Sequence, residues 1–499
     1  MEAHNLKVAV IAKKVLSFFD RNEPFRISHG STNSTRPRRE EKVVDISSLS
    51  SIVEINVEAR TVLVEPNVPM DKLVAATLEH NLVPPVVVEF PGITAGGAFA
   101  GTAGESSSFK FGLFDRTVNR VEILLGNSRL VYASKEENSE LFHGASGALG
   151  TLGITTLLEL RLIEAKKYVR VTYHPRNTIT ATIDCIQDRT SEPENDFVDG
   201  ILFSENHGVV IVGQMTNDEP GARPQTFSYP WDPWFYLHVR NKTLRAAVPA
   251  VDYVPLPEYL FRYDRGGFWI GRAIFQYFLL PFNRLTRWLL DDLLKTRMLY
   301  KGLHASHLPG SFIIQDLAVP YSSARGFLDY LVETFGIWPI WLCPLKVPST
   351  PSFHPNLAAM SQTGAGQRTA PGSMLSIGLW GPGSLDGQRC VAMNRDLEHR
   401  LREFGGMKWL YAHAFYPESE FWEIYDRPAY EALREKYHAT RLPTVYDKVK
   451  VDFESAMQEV RESWAAWAIS LWPIGGIWGV WSALGSGAYL PRCPPWRTS

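Results

Sequence analysis

Hydrophobic residues in the first third of the chain follow spacings that alternate between those of helices and those of strands. Val8, Ile11 and Val15 share one face of a predicted first helix, and residues 69–81 repeat that spacing. Short apolar runs predict strands at residues 24–28, 43–46, 52–57, 61–64, 118–125, 129–133 and 154–162. We therefore predict that this third consists of many short strands with helices between them.

The pattern changes after about residue 168, where strands such as 209–214 and 312–316 alternate with long aromatic helices. Residues 268–290 form the most apolar helical region, but arginines and a proline leave too short a span to cross a membrane. We predict that it is buried, with a helix lying in the plane of a membrane as the alternative. Residues 353–386, rich in Pro, Gly, Ser and Gln, predict an irregular excursion with a mobile middle.

The C-terminal tail has a composition of its own. Residues 463–491 carry no charged side chain, and five tryptophans recur in the segment: Trp464, Trp467, Trp472, Trp478 and Trp481. The segment is long enough to cross a bilayer, although Pro473 and several glycines weaken a straight helix. Membrane association, packing on the protein and a disordered or artefactual tail all remain open.

Composition excludes some classes of function. Apolar residues make up 45% and charged residues 21% of the 499 residues, which is ordinary for a globular protein of two or three domains. The net charge of −2 gives no reason to expect a nucleic-acid partner. The four cysteines lack CxxC spacing, so we expect free thiols in a reducing compartment and no metal site.

Three glycine-rich loops carry the candidate chemistry. Five glycines lie between Pro91 and Gly104, and no Lys or Arg precedes Lys110 in this stretch. Backbone N–H groups can therefore approach an anion such as a phosphate closely. Residues 28–35 and 144–153 form two further loops of small residues. Three separate loops suit a long ligand, whereas the alternative for any one of them is a plain surface turn.

These loops also carry a resemblance. Their order, together with residues 60–68, resembles the FAD-binding domain of the vanillyl-alcohol-oxidase and para-cresol-methylhydroxylase (PCMH) superfamily. Residues 101–114 and 165–169 are similar to the Δ24-sterol reductase group of that superfamily, which reduces the side-chain double bond of sterols. Similar motifs continue downstream at residues 197–200, 232–235, 339–344, 420–423 and 445–448, so the likeness covers roughly residues 5–450.

The resemblance implies an α+β fold. Two α+β subdomains of a PCMH-type domain at residues 1–167 are expected to hold FAD. A substrate domain with an antiparallel sheet follows at 168–450, its C-terminal part returning to the FAD domain, and the tail occupies 451–499. The resemblance also implies NADPH as reductant and a sterol substrate. The low solubility of a sterol and the apolar tail lead us to expect the endoplasmic-reticulum membrane, with a cytoplasmic location as the alternative. The preferred sterol, the NADPH docking site and the oligomeric state stay open.

The resemblance places the FAD contacts in the three loops. The predicted cofactor-binding residues are Gly30, Ser31, Thr32, Asn33, Pro91, Gly92, Thr94, Ala95, Gly96, Gly97, Gly101, Thr102, Ala103, Gly104, Glu105, Ser106, Ser107, Gly150, Gly153 and Ile154. Many members of the superfamily tether FAD through a histidine that follows the first-loop glycines. Here His29 precedes Gly30, so we predict non-covalent FAD.

Reduction of an alkene needs a proton donor beside the hydride donor. We expect the proton to reach C24, which places developing positive charge on the tertiary C25, and the hydride from flavin N5 to reach C25. The candidate donors are Tyr411, His413, Tyr416 and Asp316, with Tyr411 and His413 on one face of a predicted strand. Aromatic residues could line a sterol slot: Phe268, Trp269, Trp338 and Trp341.

Two other functions fit the sequence. One is a PCMH-type FAD oxidase or dehydrogenase acting on an alcohol, sugar or lactone. The other is a flavin-free sterol-binding protein on the same scaffold, because fold does not decide function.

Overall fold

The computed structural model describes residues 1–30, 42–246, 248–306, 312–346, 353, 373–384, 386–412, 414–451 and 472–487. The strands are β1 (Arg26–Ser28), β2 (Val43–Asp45), β3 (Ile52–Asn56), β4 (Thr61–Val64), β5 (Leu82–Val83), β6 (Val118–Leu124), β7 (Leu130–Ser134), β8 (Ile154–Arg161), β9 (Ile163–Glu164), β10 (Tyr168–Arg176), β11 (Phe197–Ser204), β12 (His207–Thr216), β13 (Ala250–Pro255), β14 (Phe312–Pro320), β15 (Ile340–Lys346), β16 (Ser373–Pro382) and β17 (Met407–Lys408).

The helices are α1 (Glu2–Asp20), α2 (Met70–Leu78), α3 (Ala95–Ala100), α4 (Ser108–Phe111), α5 (Ser139–Ala145), α6 (Ile179–Thr190), α7 (Phe235–Thr243), α8 (Leu256–Leu260), α9 (Gly271–Tyr277), α10 (Arg284–Leu289), α11 (Thr296–Ala305), α12 (Tyr321–Phe335), α13 (Gly387–Glu403), α14 (Glu418–Ile424), α15 (Arg427–Lys436), α16 (Val445–Val449) and α17 (Ile474–Gly485). Two short 3-10 helices are Phe114–Thr117 and Asp291–Leu293. The predicted α+β class is confirmed.

The first sheet has five strands in the order β3-β4-β8-β6-β7, all antiparallel. Helix α1 buries the predicted face of Val8, Ile11 and Val15. The two ring nitrogens of the buried His4 lie 3.0 Å from a Glu65 oxygen and 3.1 Å from a Glu122 oxygen. The helix is therefore attached to the domain by polar as well as apolar contacts.

The second sheet has eight antiparallel strands in the order β13-β10-β12-β11-β15-β16-β14-β17. Because side chains alternate along a strand, each central strand contributes side chains to two hydrophobic cores, one on each face of the sheet. In β14, Ile313 and Leu317 join an outer core with residues of α6, α12 and α13, whereas Ile314 belongs to the core shared with the first domain. One face of this sheet is thus directed towards the glycine-rich loops.

The end of the second domain returns to the first. The Tyr430 hydroxyl donates to Thr151 Oγ1 at 2.7 Å, and Arg434 Nη1 donates to the Thr151 carbonyl at 3.0 Å. Helices α15 and α16 therefore pack near the third glycine-rich loop. The domain boundaries at 167 and 450 stay predictions.

The irregular excursion predicted at residues 353–386 is wrong for its second half. Residues 373–382 form the central strand β16, which pairs with both β14 and β15. The small residues of this segment predicted a loop from composition. In the structure, Ser376 and Gly378 alternate with buried Leu375 and Ile377 in a strand that is covered on both faces. Residues 354–372 lie outside the described part of the chain.

Residues 268–290 do not form one buried helix. They divide into α9 and α10, with Pro281 in the break. The predicted burial is correct for Phe268 and Phe275, but wrong for Leu285 and Leu289, which are exposed.

The described part of the tail, residues 472–487, contains α17, which packs against α11. No helix among the described residues is long and apolar enough to span a bilayer. The rest of the 463–491 segment lies outside the described residues.

Candidate functional site

A cavity of about 570 Å³ lies between the glycine-rich loops and the facing side of the second sheet. This size falls in the range of pockets for small molecules and cofactors. Ten of the predicted cofactor residues line it: Gly30, Thr94, Gly96, Gly97, Gly101, Ala103, Gly104, Gly150, Gly153 and Ile154. The tertiary structure therefore brings all three loops to one site, although Ser31, Thr32 and Asn33 lie outside the described residues.

Glycine is required at two of these positions by close packing. A Cβ on Gly96 would lie 2.5 Å from Pro66 Cβ, and a Cβ on Gly153 would lie 2.5 Å from Ile123 Cγ2. Gly153 also has a φ of +149°, which other residues rarely adopt. These glycines let the loops approach the strands beneath them while their other side forms the cavity wall.

Several backbone N–H groups of the second loop donate hydrogen bonds within the protein. The N–H of Ala95 donates to the Val68 carbonyl, and the N–H of Gly96 donates to the Pro66 carbonyl at 2.8 Å. The N–H of Gly97 donates to Thr94 Oγ1, which caps helix α3. These three N–H groups therefore already have partners within the protein. A ligand beside the second loop contacts a tightly packed backbone that approaches it closely.

The remaining described residues of the predicted cofactor set do not line the cavity: Pro91, Gly92, Ala95, Thr102, Glu105, Ser106 and Ser107. Glu105 accepts hydrogen bonds from the Ser106 hydroxyl at 2.7 Å and from the Ser107 N–H at 2.9 Å. These side chains are fully buried and hold the loop after Gly104 in place.

A buried ionic cluster connects that loop to the second domain. Arg262 Nη2 donates to Asp199 Oδ2 at 3.0 Å and to the Ser106 hydroxyl at 3.2 Å. The same Asp199 oxygen accepts from the Tyr263 hydroxyl at 2.8 Å and from the Trp341 indole at 3.1 Å. The cluster therefore fixes Trp341, which lines the cavity.

The wall opposite the glycines is aromatic. Phe268, Trp341 and Trp380 line the cavity, and the Phe268 and Trp380 ring centres are 4.3 Å apart. Trp269 lies behind them and donates its indole N–H to the Trp380 carbonyl. Trp338 is not among the lining residues. This wall is rigid and apolar, and it suits a flat hydrocarbon better than a sugar.

Two side chains with an ionisable proton, Asp316 and Tyr411, also belong to this wall. Both line the cavity, Asp316 from strand β14 directly opposite Gly378 of β16. Burial raises the pKa of Asp316 to about 7, while the Tyr411 hydroxyl acts in the opposite direction. Oδ1 of Asp316 has no hydrogen-bond partner among the described residues. Asp316 can therefore hold a proton near neutral pH and present it to the cavity.

The other two candidate donors are placed differently. Tyr416 is buried away from the cavity lining, and its ring lies near the amino group of Lys408. His413 lies outside the described residues. The predicted strand is wrong for Tyr411, because β17 ends at Lys408 and the chain turns at Leu410–Tyr411. The tertiary structure therefore brings two of the four candidates together, on neighbouring segments.

Comparison with known proteins identifies the scaffold. Residues 12–134 match the family described as "FAD binding domain". The chain is 31% identical to the human Delta(24)-sterol reductase over 412 residues, covering 81% of this chain and 76% of that protein. It is 30% identical to the Delta(24)-sterol reductase of Arabidopsis thaliana, covering 88% and 81%. The chain belongs to the Delta(24)-sterol reductase family. A rice protein, cytokinin dehydrogenase 4, is 31% identical over 137 residues, covering 27% of this chain and 26% of that protein.

In this Delta(24)-sterol reductase family member, the cavity fits FAD. Glycine-rich loops supply the close backbone, and Glu89, just before the second loop, lines the cavity with an oxygen that lacks a partner among the described residues. Burial raises the pKa of the Glu89 carboxyl, and the nearby Glu105 raises it further. A neutral acid can both donate and accept hydrogen bonds, as the polar edge of a flavin requires.

Two positively charged residues outside the predicted cofactor-binding set also line the cavity. Arg26 and Lys448 line it, and Lys448 Nζ donates to the Leu149 carbonyl beside the third loop at 2.6 Å. Lys448 lies in helix α16, about 300 residues after that loop, in the 445–448 motif, which carried the resemblance but no predicted role. The family member thus combines a close backbone with two cations, an arrangement that suits a pyrophosphate.

His29 also lines the cavity, so the type of FAD attachment can be tested directly. We expect acid precipitation of the native protein to release all flavin into the supernatant, because the predicted attachment is non-covalent. The pellet should show no flavin fluorescence, and a His29→Ala variant should behave identically. Flavin fluorescence in the wild-type pellet that disappears in His29→Ala would contradict the prediction.

Proposed function

We propose that this protein reduces the C24–C25 double bond of a sterol side chain, with NADPH as the electron donor and FAD as the carrier. The observation that supports this most strongly is the division of one cavity between two walls. Glycine-rich loops of the FAD domain form one wall, and the aromatic residues with Asp316 form the other.

The aromatic wall matches a sterol in chemistry. A rigid tetracycle binds by burying apolar surface with few polar anchors. Phe268, Trp341 and Trp380 offer such a surface, and the Asp199 cluster holds Trp341 through its indole N–H. A side-chain alkene placed beside Asp316 is then shielded from water, which favours transfer of a proton from that carboxyl.

The chain supplies the acid and the positioning. We assign Asp316 as the proton donor to C24, because its pKa of about 7 keeps a large protonated fraction at neutral pH. When bound, FAD supplies the hydride that the tertiary C25 receives. Tyr411 beside Asp316 helps to position the carboxyl and to stabilise the carboxylate left after proton transfer.

We further propose that the protein works at the endoplasmic-reticulum membrane, where sterols partition. An FAD oxidase or dehydrogenase is the alternative, since 27% of the chain is similar to the rice cytokinin dehydrogenase and a shared fold does not decide function. The aromatic wall and the raised pKa of Asp316 favour the reductase.

One anaerobic experiment distinguishes the possibilities. We expect NADPH to bleach the bound flavin and desmosterol, a Δ24 sterol, to restore its colour with formation of the saturated side chain. Cholesterol, which lacks the double bond, is the matched control and should leave the flavin reduced. Bleaching by an alcohol, followed by rapid reoxidation once O₂ is admitted, would support an oxidase, and purified protein that never binds FAD would exclude both enzymes.

A further inference from the structure

Two neighbouring elements expose large apolar side chains that the fold leaves uncovered. Helix α10 has no buried residue, and Leu285 on it is 63% exposed. On α17, Trp481 is 66% exposed. We call this the apolar face, and it consists of Leu279, Leu280, Leu285, Trp288, Leu289, Trp472, Ile474, Ile477, Trp478, Trp481 and Leu484.

Helix α17 is hydrogen-bonded to the end of α9, beside the start of the other part of the apolar face. The Trp472 indole donates to the Tyr277 carbonyl at 2.8 Å, and the Gly476 N–H donates to the Tyr277 hydroxyl at 3.2 Å. Tyr277 ends α9, two residues before Leu279. The inner side of α17 is made of small residues, so its bulky residues point away from the protein. The exposed residues of α17 therefore lie close to the exposed segment that begins at Leu279, and a cluster of this kind marks an interaction surface.

The segments that carry the apolar face are positively charged. Residues 266–290 contain Arg272, Arg284 and Arg287 and no acidic residue, and residues 472–487 contain no charge. The two acids that follow α10 are paired, Asp291 with Arg265 and Asp292 with Lys295. None of the three arginines forms an ion pair within the described part of the chain. Trp, Leu and Arg in this combination are typical of surfaces that lie in the headgroup layer of an anionic bilayer. Self-association through the same face would bring like charges together.

The apolar face is also connected to the cavity. Helix α17 packs on α11, where a Cβ on Gly479 would lie 2.6 Å from the Gly302 carbonyl oxygen. Tyr300 and His304 of α11 line the cavity, as does Ile270 just before α9. The elements that carry or support the apolar face therefore form part of the cavity wall.

We propose that the apolar face lies in the interfacial layer of a phospholipid bilayer and that the sterol passes from the bilayer to the cavity beside α11. The docking part rests on exposure and charge alone, whereas the entry part rests on the proposed function. Helices α10 and α17 then lie in the plane of the membrane, with Arg284 near lipid phosphates.

Sedimentation of full-length protein with phosphatidylcholine vesicles, with and without phosphatidylserine, tests docking. We expect a Leu285→Ser/Trp481→Ser variant to bind at least about tenfold more weakly, because each lost side chain removes a large buried apolar area. Leu6→Ser/Val10→Ser is the matched control, since these α1 residues are 65% and 69% exposed, and it should bind like wild type. Arg284→Gln should lower binding about fivefold with phosphatidylserine only.

Sterol delivery tests entry separately. With desmosterol supplied in vesicles, the double variant should show a raised KM, whereas with cyclodextrin-solubilised desmosterol it should equal wild type. Undiminished vesicle binding by the double variant overturns the docking proposal, and a loss of dimer mass in that variant with unchanged vesicle binding assigns the apolar face to a second copy. A wild-type protein that binds vesicles through this face but reduces no solubilised sterol contradicts the proposed function and leaves docking supported.

Discussion

Replacement of Asp316 by asparagine is expected to slow sterol-dependent reoxidation of the flavin by about 10²- to 10⁴-fold, the usual contribution of a general acid. Asparagine keeps the shape of the side chain but holds no transferable proton. Rapid mixing of NADPH-reduced protein with desmosterol measures the step. Flavin reduction by NADPH does not use this proton, so its rate in the same variant is the internal control.

The pH dependence gives a second readout for Asp316. Burial raises its pKa from 3.8 to about 7, so the protonated donor is present below this pH and is lost above it. The wild-type rate of sterol reduction should therefore fall about tenfold per pH unit well above 7, and the asparagine variant should lack this decline. A Tyr411→Phe variant retains the acid and should keep the decline. A wild-type rate in Asp316→Asn would show that another group donates the proton.

Replacement of Arg262 by methionine is expected to lower the free energy of unfolding by about 3–5 kcal/mol, the usual cost of removing one partner of a buried ion pair. Arg262 and Asp199 are almost completely buried, and Glu89 and Glu105 lie close by. Without the guanidinium, these acids lose their shared cation. Urea unfolding of the FAD-loaded protein, followed by tryptophan fluorescence, measures the change.

Two variants control the Arg262 experiment. Arg325→Met breaks an exposed pair with Asp329 and should cost less than about 1 kcal/mol. Arg262→Met/Asp199→Asn should regain part of the lost stability, because asparagine removes the unpaired charge and keeps an acceptor for Tyr263 and Trp341. Equal losses from Arg262→Met and Arg325→Met would refute the importance of the buried cluster.

The positions of the three glycine-rich loops could be predicted from the sequence, because the need for a residue without a Cβ is a local property of each loop. A missing Cβ permits close approach wherever the loop lies, as Gly96 against Pro66 and Gly153 against Ile123 show. The apolar periodicity of α1 was equally local, and its predicted face is buried. By contrast, composition did not predict strand β16, because its Ser and Gly residues are typical of loops. Their burial depends on the neighbouring strands, which composition does not reveal.

The choice among acidic and basic residues needed the tertiary structure. Glu89 and Lys448 both line the cavity, yet they are separated by more than 350 positions, and neither was among the predicted cofactor-binding residues. Of the four candidate donors, Asp316 and Tyr411 line the cavity, and the pKa of about 7 distinguishes Asp316 from Tyr411. Burial then changed its proton affinity, which depends on everything packed around it and on no single neighbour in sequence.

The amino-acid sequence by itself determined the places of the glycine-rich loops, the α+β class through its resemblance and the abundance of aromatic residues in the second half. Only the tertiary structure decided which aromatic side chains form the cavity wall and which, on α10 and α17, remain outside it. The physical reason is that periodicity records a side chain's direction within its own element, whereas burial depends on contacts between segments that are hundreds of residues apart.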